Sequence, residues 1–223
     1  MTYRIRWPGA LGVLWLLLVS FPLSTWGAIP TTATVPVPVR LGPASALWLE
    51  GTSNLHDFES RTTEPVVTIA RNAAADGNDL IALLRVSNIL AVDVMVPVRS
   101  LHSPRSGIDK NLWKALKSEQ FKNITFHLDR YTFPARGAVG DTLAIQAEGS
   151  LTIAGNERPT KLDARMYPGK GGMWLEGSHT LKMTEFGVKP PTMMLGTLRV
   201  GDQITIRYRL LLVAGAATSS TSD

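Results

Sequence analysis

The sequence lacks cysteine altogether: none occurs among its 223 residues. This absence excludes disulfides, thiolate metal sites, a cysteine nucleophile and a lipoprotein anchor on cysteine. Catalytic patterns are missing as well, because the chain contains no G-x-S-x-G and no S-x-x-K. None of its four histidines is paired at the H-x-H or H-x-x-x-H spacing of a metal site. The sequence therefore contains none of these catalytic motifs and no metal-like histidine spacing.

Charge is also scarce, since Asp, Glu, Lys and Arg make up 18% of the residues and the net charge is +5. A balance this mild is typical of a solvated surface, so we expect no nucleic acid among the partners.

Long apolar runs are limited to one at the N-terminus, Leu11 to Val19, which is too short for a comfortable membrane span. It follows Arg4 and Arg6 and precedes small residues near Gly27 and Ala28. This pattern predicts a secretory signal peptide over residues 1–28, with an uncleaved N-terminal anchor as the alternative. Because an exported domain without disulfides depends on its core alone, a periplasmic location is favoured.

The rest of the chain divides into three parts. Residues 29–43, rich in Pro and Thr, predict a linker or extended lead-in. Residues 44–213 predict one domain, and residues 214–223 a disordered tail. Hydrophobic residues amount to 44% of the chain, which is enough for a real core.

Within the domain, apolar and polar residues alternate with the period of two that predicts half-buried strands. The predicted strands are Ala46–Ser53, Pro65–Ala70, Asp79–Ser87, Val92–Val98, Ile124–Tyr131, Thr142–Gly155, Thr160–Met166, Met173–Leu181 and Gln203–Leu212. Short turns such as Gly155-Asn156 favour antiparallel pairing. A half-buried antiparallel sheet of this size avoids exposed edges by closing into a barrel; a two-sheet sandwich is the alternative.

A single helix of about three turns is predicted from Ile108 to Phe121. Its apolar stripe, Ile108, Leu112, Ala115 and Leu116, would cover one end or flank of the barrel. The sequence does not decide whether the barrel interior is a channel or a solid core. The inward positions include several small residues, Ala82, Ala147, Gly149, Ala164 and Gly177, which leave a cavity only if they line one side.

Four blocks in a fixed order carry a family resemblance. They are "GTSNLHDFES" from Gly51, "NLWKALKSEQFKNITFHL" from Asn111, "GSLTIAGNERPTKLDARM" from Gly149 and "GSHTLKMTEFGVKPP" from Gly177. The set resembles the YceI-like family of exported, lipocalin-like, polyisoprenoid-binding domains, with Lys122 where that family usually has proline. The resemblance implies an all-β, up-and-down, lipocalin-like barrel of about eight antiparallel strands with one amphipathic helix beside or over an end. It also implies a hydrophobic channel for an isoprenoid tail, and no reaction.

Candidate ligand-binding residues combine inward strand positions with large apolar residues around the helix. They are Trp113, Leu116, Phe121, Phe126, Val94, Val96, Leu143, Ile145, Leu175, His179 and Tyr208. Trp113 and Phe121 are expected nearest the channel entrance. His179 falls on the inward face, where a hydrogen-bonded core histidine is the alternative to a ligand contact. His127 is predicted to point outward.

The expected function is non-enzymatic binding, transport or storage of an isoprenoid-type lipid, a quinone or polyprenyl chain. No catalytic residue, metal or cofactor is expected besides the bound lipid. The expected partners are that lipid and, transiently, a membrane, with the protein a monomer or a homodimer. The alternative is a periplasmic protein-binding or stress-related module with a solid core and no ligand.

Overall fold

The computed structural model describes residues 34–72, 89–104, 106–134, 138–139, 141–193 and 197–213. Three predicted features lie outside the described residues: the signal peptide, the strand Asp79–Ser87 with Ala82, and the C-terminal tail. No helix within the described ranges is both long enough and apolar enough to cross a membrane.

The described chain is built almost entirely from β-strands. These are β1 Thr34–Leu41, β2 Ala46–Ser53, β3 Phe58–Thr62, β4 Val66–Asn72, β5 Ile89–Pro97, β6 Asn123–Thr132, β7 Ala138–Val139, β8 Thr142–Ile153, β9 Asn156–Gly169, β10 Gly172–Lys182, β11 Thr192–Met193 and β12 Leu198–Val213. One α-helix, α1 Ser106–Ala115, and two short 3-10 helices, Val98–Ser100 and Met183–Phe186, complete the described elements.

Eight of these strands close into an antiparallel barrel. Their order is β1-β4-β5-β6-β8-β9-β10-β12, and the ring closes where β1 meets β12 at the pairs Arg40↔Val213 and Leu41↔Leu212. Two extra strands extend the wall, because β2 pairs with the first part of β12 and β3 pairs with β2. The barrel prediction is therefore confirmed over the sandwich alternative.

The hairpin of β8 and β9 illustrates how the sequence directs this pairing. Eleven partner pairs run from Leu143↔Met166 to Ile153↔Asn156. The two-residue turn, Ala154-Gly155, has positive φ at both positions, 49° and 78°. That geometry matches the right-handed twist of the flanking strands, and glycine adopts it without steric cost.

The domain begins before the predicted boundary at residue 44. Thr34–Leu41, assigned from sequence to the linker or lead-in, forms strand β1 and pairs with β4 from Thr34↔Asn72 to Val39↔Val67. Over residues 34–39, the other edge of β1 has no strand partner within the described chain. Pro36 and Pro38, which lack an N–H donor, are tolerated on such an edge strand.

Helix α1 ends at Ala115, earlier than the predicted Phe121. The main-chain N–H of Ser118 donates to Trp113 O at 2.9 Å, and the N–H of Lys117 donates to Lys114 O at 3.1 Å. Lys117 has a φ of 52°. These bonds and this left-handed residue form a Schellman motif, which terminates the helix and turns the chain toward β6.

Candidate ligand-binding site

The described part of the chain encloses two apolar cavities. The larger lies between helix α1 and the end of the barrel, and we call it the outer cavity. Its volume is about 500 Å³, within the range of small-molecule sites. Helix α1 contributes Ile108, Leu112 and Ala115 to its wall, and Leu116 follows directly after the helix. Strands and the segment after β10 supply most of the remainder. Polar side chains are confined to the margin, which is formed by Ser53, His56 and Asn111.

The second cavity lies inside the barrel, and we call it the inner cavity. It measures about 200 Å³. Inward residues of β2, β4, β5, β6, β8, β9, β10 and β12 surround it, and nearly all are aliphatic. The strand alternation predicted from the sequence therefore does point apolar side chains into a common lumen, and that lumen is not solidly packed.

Most of the predicted ligand-binding residues lie on these two surfaces. Leu116 lines the outer cavity. The predicted residues that line the inner cavity are Val94, Val96, Phe126, Ile145, Leu175 and Tyr208. The inner-cavity residues come from five different strands, so the barrel brings together residues that are far apart in the chain.

Trp113 is placed elsewhere, which corrects the prediction that it stands at the channel entrance. Its indole Nε1 donates to Leu101 O at 3.2 Å. The ring meets His102 edge-on at 5.7 Å between centroids, and the Arg99 guanidinium lies 5.6 Å from its centroid. Successive helical residues are turned by about 100°, so Leu112 faces the cavity while Trp113 faces the segment after β5. Trp113 anchors the helix and does not line either cavity.

A buried carboxylate fastens the other end of the helix. Asp109 is 7% exposed. Its Oδ1 accepts from the main-chain N–H of Ser103 at 2.7 Å, and its Oδ2 accepts from His102 Nδ1 at 3.0 Å. Together with the Trp113 bond, these contacts hold α1 over the barrel end, so the wall of the outer cavity is fixed in place.

Three further predicted residues also lie off the cavity linings. Phe121 packs on the β8–β9 turn, where a Cβ added at Gly155 would fall under 3.0 Å from its ring. Leu143 is paired with Ala138 of β7 and with Met166, at the first pair of the β8–β9 ladder. A large side chain or an inward position is therefore not enough to predict that a residue lines a cavity, because the cavities occupy only part of the enclosed surface.

His179 is the third of these residues. It is paired with Ile206 and therefore on the inward face, as predicted, but it lines neither cavity. Burial lowers the pKa of its imidazole below the ordinary value, with a smaller opposing effect from Glu185. The neutral ring is thus favoured there, as expected of a histidine among apolar side chains.

Tyr208 lines the inner cavity with its ring, while its hydroxyl is bonded to the main chain. Burial raises the pKa of this phenol to about 12, with a further contribution from Asp163. The hydroxyl donates to Asp163 O at 3.4 Å across Gly177, where an added Cβ would fall under 3.0 Å from both oxygens. Gly177 is therefore needed for this close approach and does not line the inner cavity. Of the other small residues predicted to face inward, Ala147 and Ala164 do line it.

Several lining residues were not among the candidates. Leu49, Ile124, Ile204 and Ile206 belong to this group, and so do residues of the segment Met183–Val188. Their alternation had placed Leu49, Ile124, Ile204 and Ile206 on apolar faces, so the signal was present. The segment after β10 had no such period, because a 3-10 helix there turns Phe186 and Val188 inward.

The surface histidine His127 gives a prediction about pH. Its Nδ1 donates to Asp93 Oδ1 at 2.6 Å, and this hydrogen bond raises the pKa of the imidazole above its ordinary value. A raised pKa stabilises the fold below the unfolded-state pKa of about 6.5, and the effect is lost as pH rises through the folded-state pKa. We expect Asp93→Asn to lower the pKa of His127 in an NMR titration. Asp129→Asn, which removes a weaker Coulombic contribution, should lower it less, and an unchanged pKa in Asp93→Asn would contradict the assignment.

Among the described residues, no three His, Asp or Glu side chains are grouped so that they could hold a metal ion. The chemistry that the two cavities offer is therefore that of apolar contact, with a few polar groups at the margin of the outer one.

Comparison with known proteins agrees with this geometry. The profile of the YceI-like domain matches residues 34–212. The chain belongs to the YceI-like family. The match begins at β1 and ends within β12, so it spans the whole described barrel.

Two solved structures share the fold of this YceI-like chain at low sequence identity. Burkholderia cenocepacia BcnA is 14% identical with a TM-score of 0.56, and the match covers 74% of this chain and 94% of that one. A polyisoprenoid binding domain from Saccharophagus degradans, implicated in plant cell wall breakdown, is 10% identical with a TM-score of 0.57, covering 80% and 98%. The sequence matches no curated protein. Identities this low establish a common barrel and nothing about the ligand.

Proposed function

We propose that this protein binds the hydrocarbon chain of an isoprenoid-type lipid, such as a quinone or polyprenyl chain, in the lumen of its barrel. It carries or stores that lipid in the periplasm and does not alter it chemically. The observation that carries the proposal is the pair of apolar cavities, about 500 and 200 Å³, enclosed by one barrel and its helix.

The character of the cavity walls favours a hydrocarbon ligand. Aliphatic side chains cannot orient a polar substrate. Each methylene group that they remove from water, however, contributes about 0.8 kcal/mol of binding free energy. A long chain therefore gains affinity without any specific polar contact. Ser53, His56 and Asn111 stand at the margin of the outer cavity, where the polar head of such a lipid would remain.

Family membership supports the same conclusion, since one structural neighbour is a polyisoprenoid binding domain. The signal-peptide pattern of residues 1–28 supports a periplasmic location, where such a carrier would exchange lipid with a membrane. The alternative, a protein-binding module with a solid core, is disfavoured by cavities of this size.

Lipid extraction tests the proposal. The full chain, with its leader, is expressed in a bacterial host, purified from the periplasmic fraction without detergent and extracted with organic solvent. Mass spectrometry of the extract should show isoprenoid lipid in near-stoichiometric amount. A protein that carries no lipid, and that takes up none when incubated with ubiquinone or polyprenol vesicles, would overturn the proposal. Recovery of the product only from the cytoplasm would overturn the periplasmic location alone.

A further inference from the structure

The outer and inner cavities meet at three side chains. Leu49, Ile124 and Ile206 line both of them, and no other described residue does so. We call these three residues the waist. We infer that the waist divides the lumen into two chambers and makes the protein discriminate between isoprenoids by chain length; this inference rests on the proposed lipid-binding function.

The waist residues project from opposite walls of the barrel. Leu49 on β2 and Ile206 on β12 are direct cross-strand partners, so they form one side together. Ile124 belongs to β6, which is separated from β12 by β10, β9 and β8 in one direction and by β1, β4 and β5 in the other. Ile124 therefore faces the Leu49–Ile206 pair across the lumen. The interior of an eight-stranded barrel is just wide enough to be filled by side chains or to hold one small ligand, so three branched side chains that face one another narrow it.

The constriction is held by the backbone. Ile124 is paired with Val96 of β5, and Ile206 is paired with His179 of β10 as well as with Leu49. Each waist strand is thus fixed between hydrogen-bonded neighbours, and isoleucine has little rotamer freedom in a strand. The waist residues cannot move away from the lumen as residues of a loop could, so the width of the waist is set by the fold.

The two chambers differ in what they can accept. A short isoprenoid can fit within the outer chamber alone, where it touches the waist from the outer side only and does not pass it. A long isoprenoid must thread the waist to bury its far end among the inner residues, which extend along β12 from Ile206 to Leu212, about 20 Å of strand. The side chains at the waist consequently affect the binding of long chains, which must pass it, more strongly than that of short chains.

The test uses isoprenoid alcohols of graded length, farnesol, geranylgeraniol and solanesol, on delipidated full-length protein. Ile124→Phe narrows the waist from one wall and Ile206→Phe narrows it from the other. Each variant should lose at least about tenfold more affinity for solanesol than for farnesol, since each methylene group of the long chain that stays in water lowers its affinity by a factor of about four. Ile124→Ala should widen the waist and preserve solanesol binding.

Val200→Phe is the matched control, because Val200 lines the outer chamber alone. This variant should lower the affinity for all three alcohols to a similar extent. Equal losses for farnesol and solanesol in both narrowing variants, with melting curves that show them folded, would overturn the waist. A wild-type protein that binds none of the alcohols would instead overturn the proposed function, so the two failures are distinguishable.

Discussion

Replacing Ala115 by phenylalanine is expected to expel lipid from the outer cavity while the barrel stays folded. Ala115 lies on the last turn of α1 and lines that cavity. The added ring projects into a space of about 500 Å³ and so meets no wall that must move. It occupies volume that the ligand would otherwise fill, and each displaced methylene removes about 0.8 kcal/mol of binding free energy.

The expected size of this effect is a loss of at least about tenfold in lipid retained after purification, the result of displacing a few methylene groups. Stability should change little, because the helix-propensity cost of phenylalanine is at most about 0.7 kcal/mol and the filled cavity offsets it. Mass spectrometry of the extract and a thermal melt on the same sample measure the two quantities.

Lys114→Phe provides the matched control for this prediction. Lys114 is exposed, adjacent in sequence and on the opposite side of the same helix from the cavity. The same ring placed there should leave lipid content unchanged. If Ala115→Phe retained as much lipid as Lys114→Phe, the outer cavity would not be where the lipid lies.

The strands of the barrel could be predicted because each buries one face only. Ala46–Ser53 was predicted with the bounds it has in the structure, and Thr142–Gly155 was overextended only at its turn. In both segments the alternation of apolar and polar residues continues to the strand ends. A physical period that repeats over eight or more residues is a strong signal even in a single sequence.

Strands β1 and β3 were not predicted, for two different reasons. Proline in β1 argues against a central strand, and its edge position became apparent only from the closed topology. In β3, the sequence Phe58–Thr62 is short and mostly polar, yet Ser60 and Thr62 are buried. Their burial results from contacts with segments distant in the chain, which local patterns do not contain.

In the candidate site, too, some residues could be predicted from the sequence and others could not. Inward strand positions such as Val96, Ile145 and Leu175 were predicted from alternation, and they line the inner cavity. The large size of Trp113 made it a candidate, but size does not reveal direction. Its indole N–H has a partner in the main chain at Leu101, and this bond decides which way the ring faces.

Gly149→Ala is expected to destabilise the barrel strongly, although it adds only one methyl group. Gly149 is buried in β8, between Leu128 of β6 and Thr160 of β9. A Cβ at this position would fall under 3.0 Å from the main-chain oxygen of His127. Backbone in a hydrogen-bonded ladder cannot move aside as a flexible side chain could, so the strands themselves would have to separate.

The register of the pairing explains why the strands are so close at this point. The pairing of β6 with β8 shifts by one residue between Leu128 and Arg130, next to Gly149. A β-bulge of this kind twists one strand toward its neighbour, and glycine is the residue that permits the approach. We expect Gly149→Ala to lose at least about 3 kcal/mol of unfolding free energy, the upper end of the usual range for overpacked sites.

Gly107→Ala is the appropriate comparison, because an added Cβ there meets no heavy atom within 4 Å. Gly107 lies in helix α1, where alanine is favoured over glycine by up to about 1 kcal/mol. The urea midpoint of unfolding should therefore be lower than that of the wild type for Gly149→Ala and higher for Gly107→Ala. A Gly149→Ala protein that unfolded at the wild-type midpoint would show that β6 and β8 do not approach each other at this bulge. The wall that carries Ile124 and Phe126 would then have to be repositioned, because both residues lie on β6 just before it.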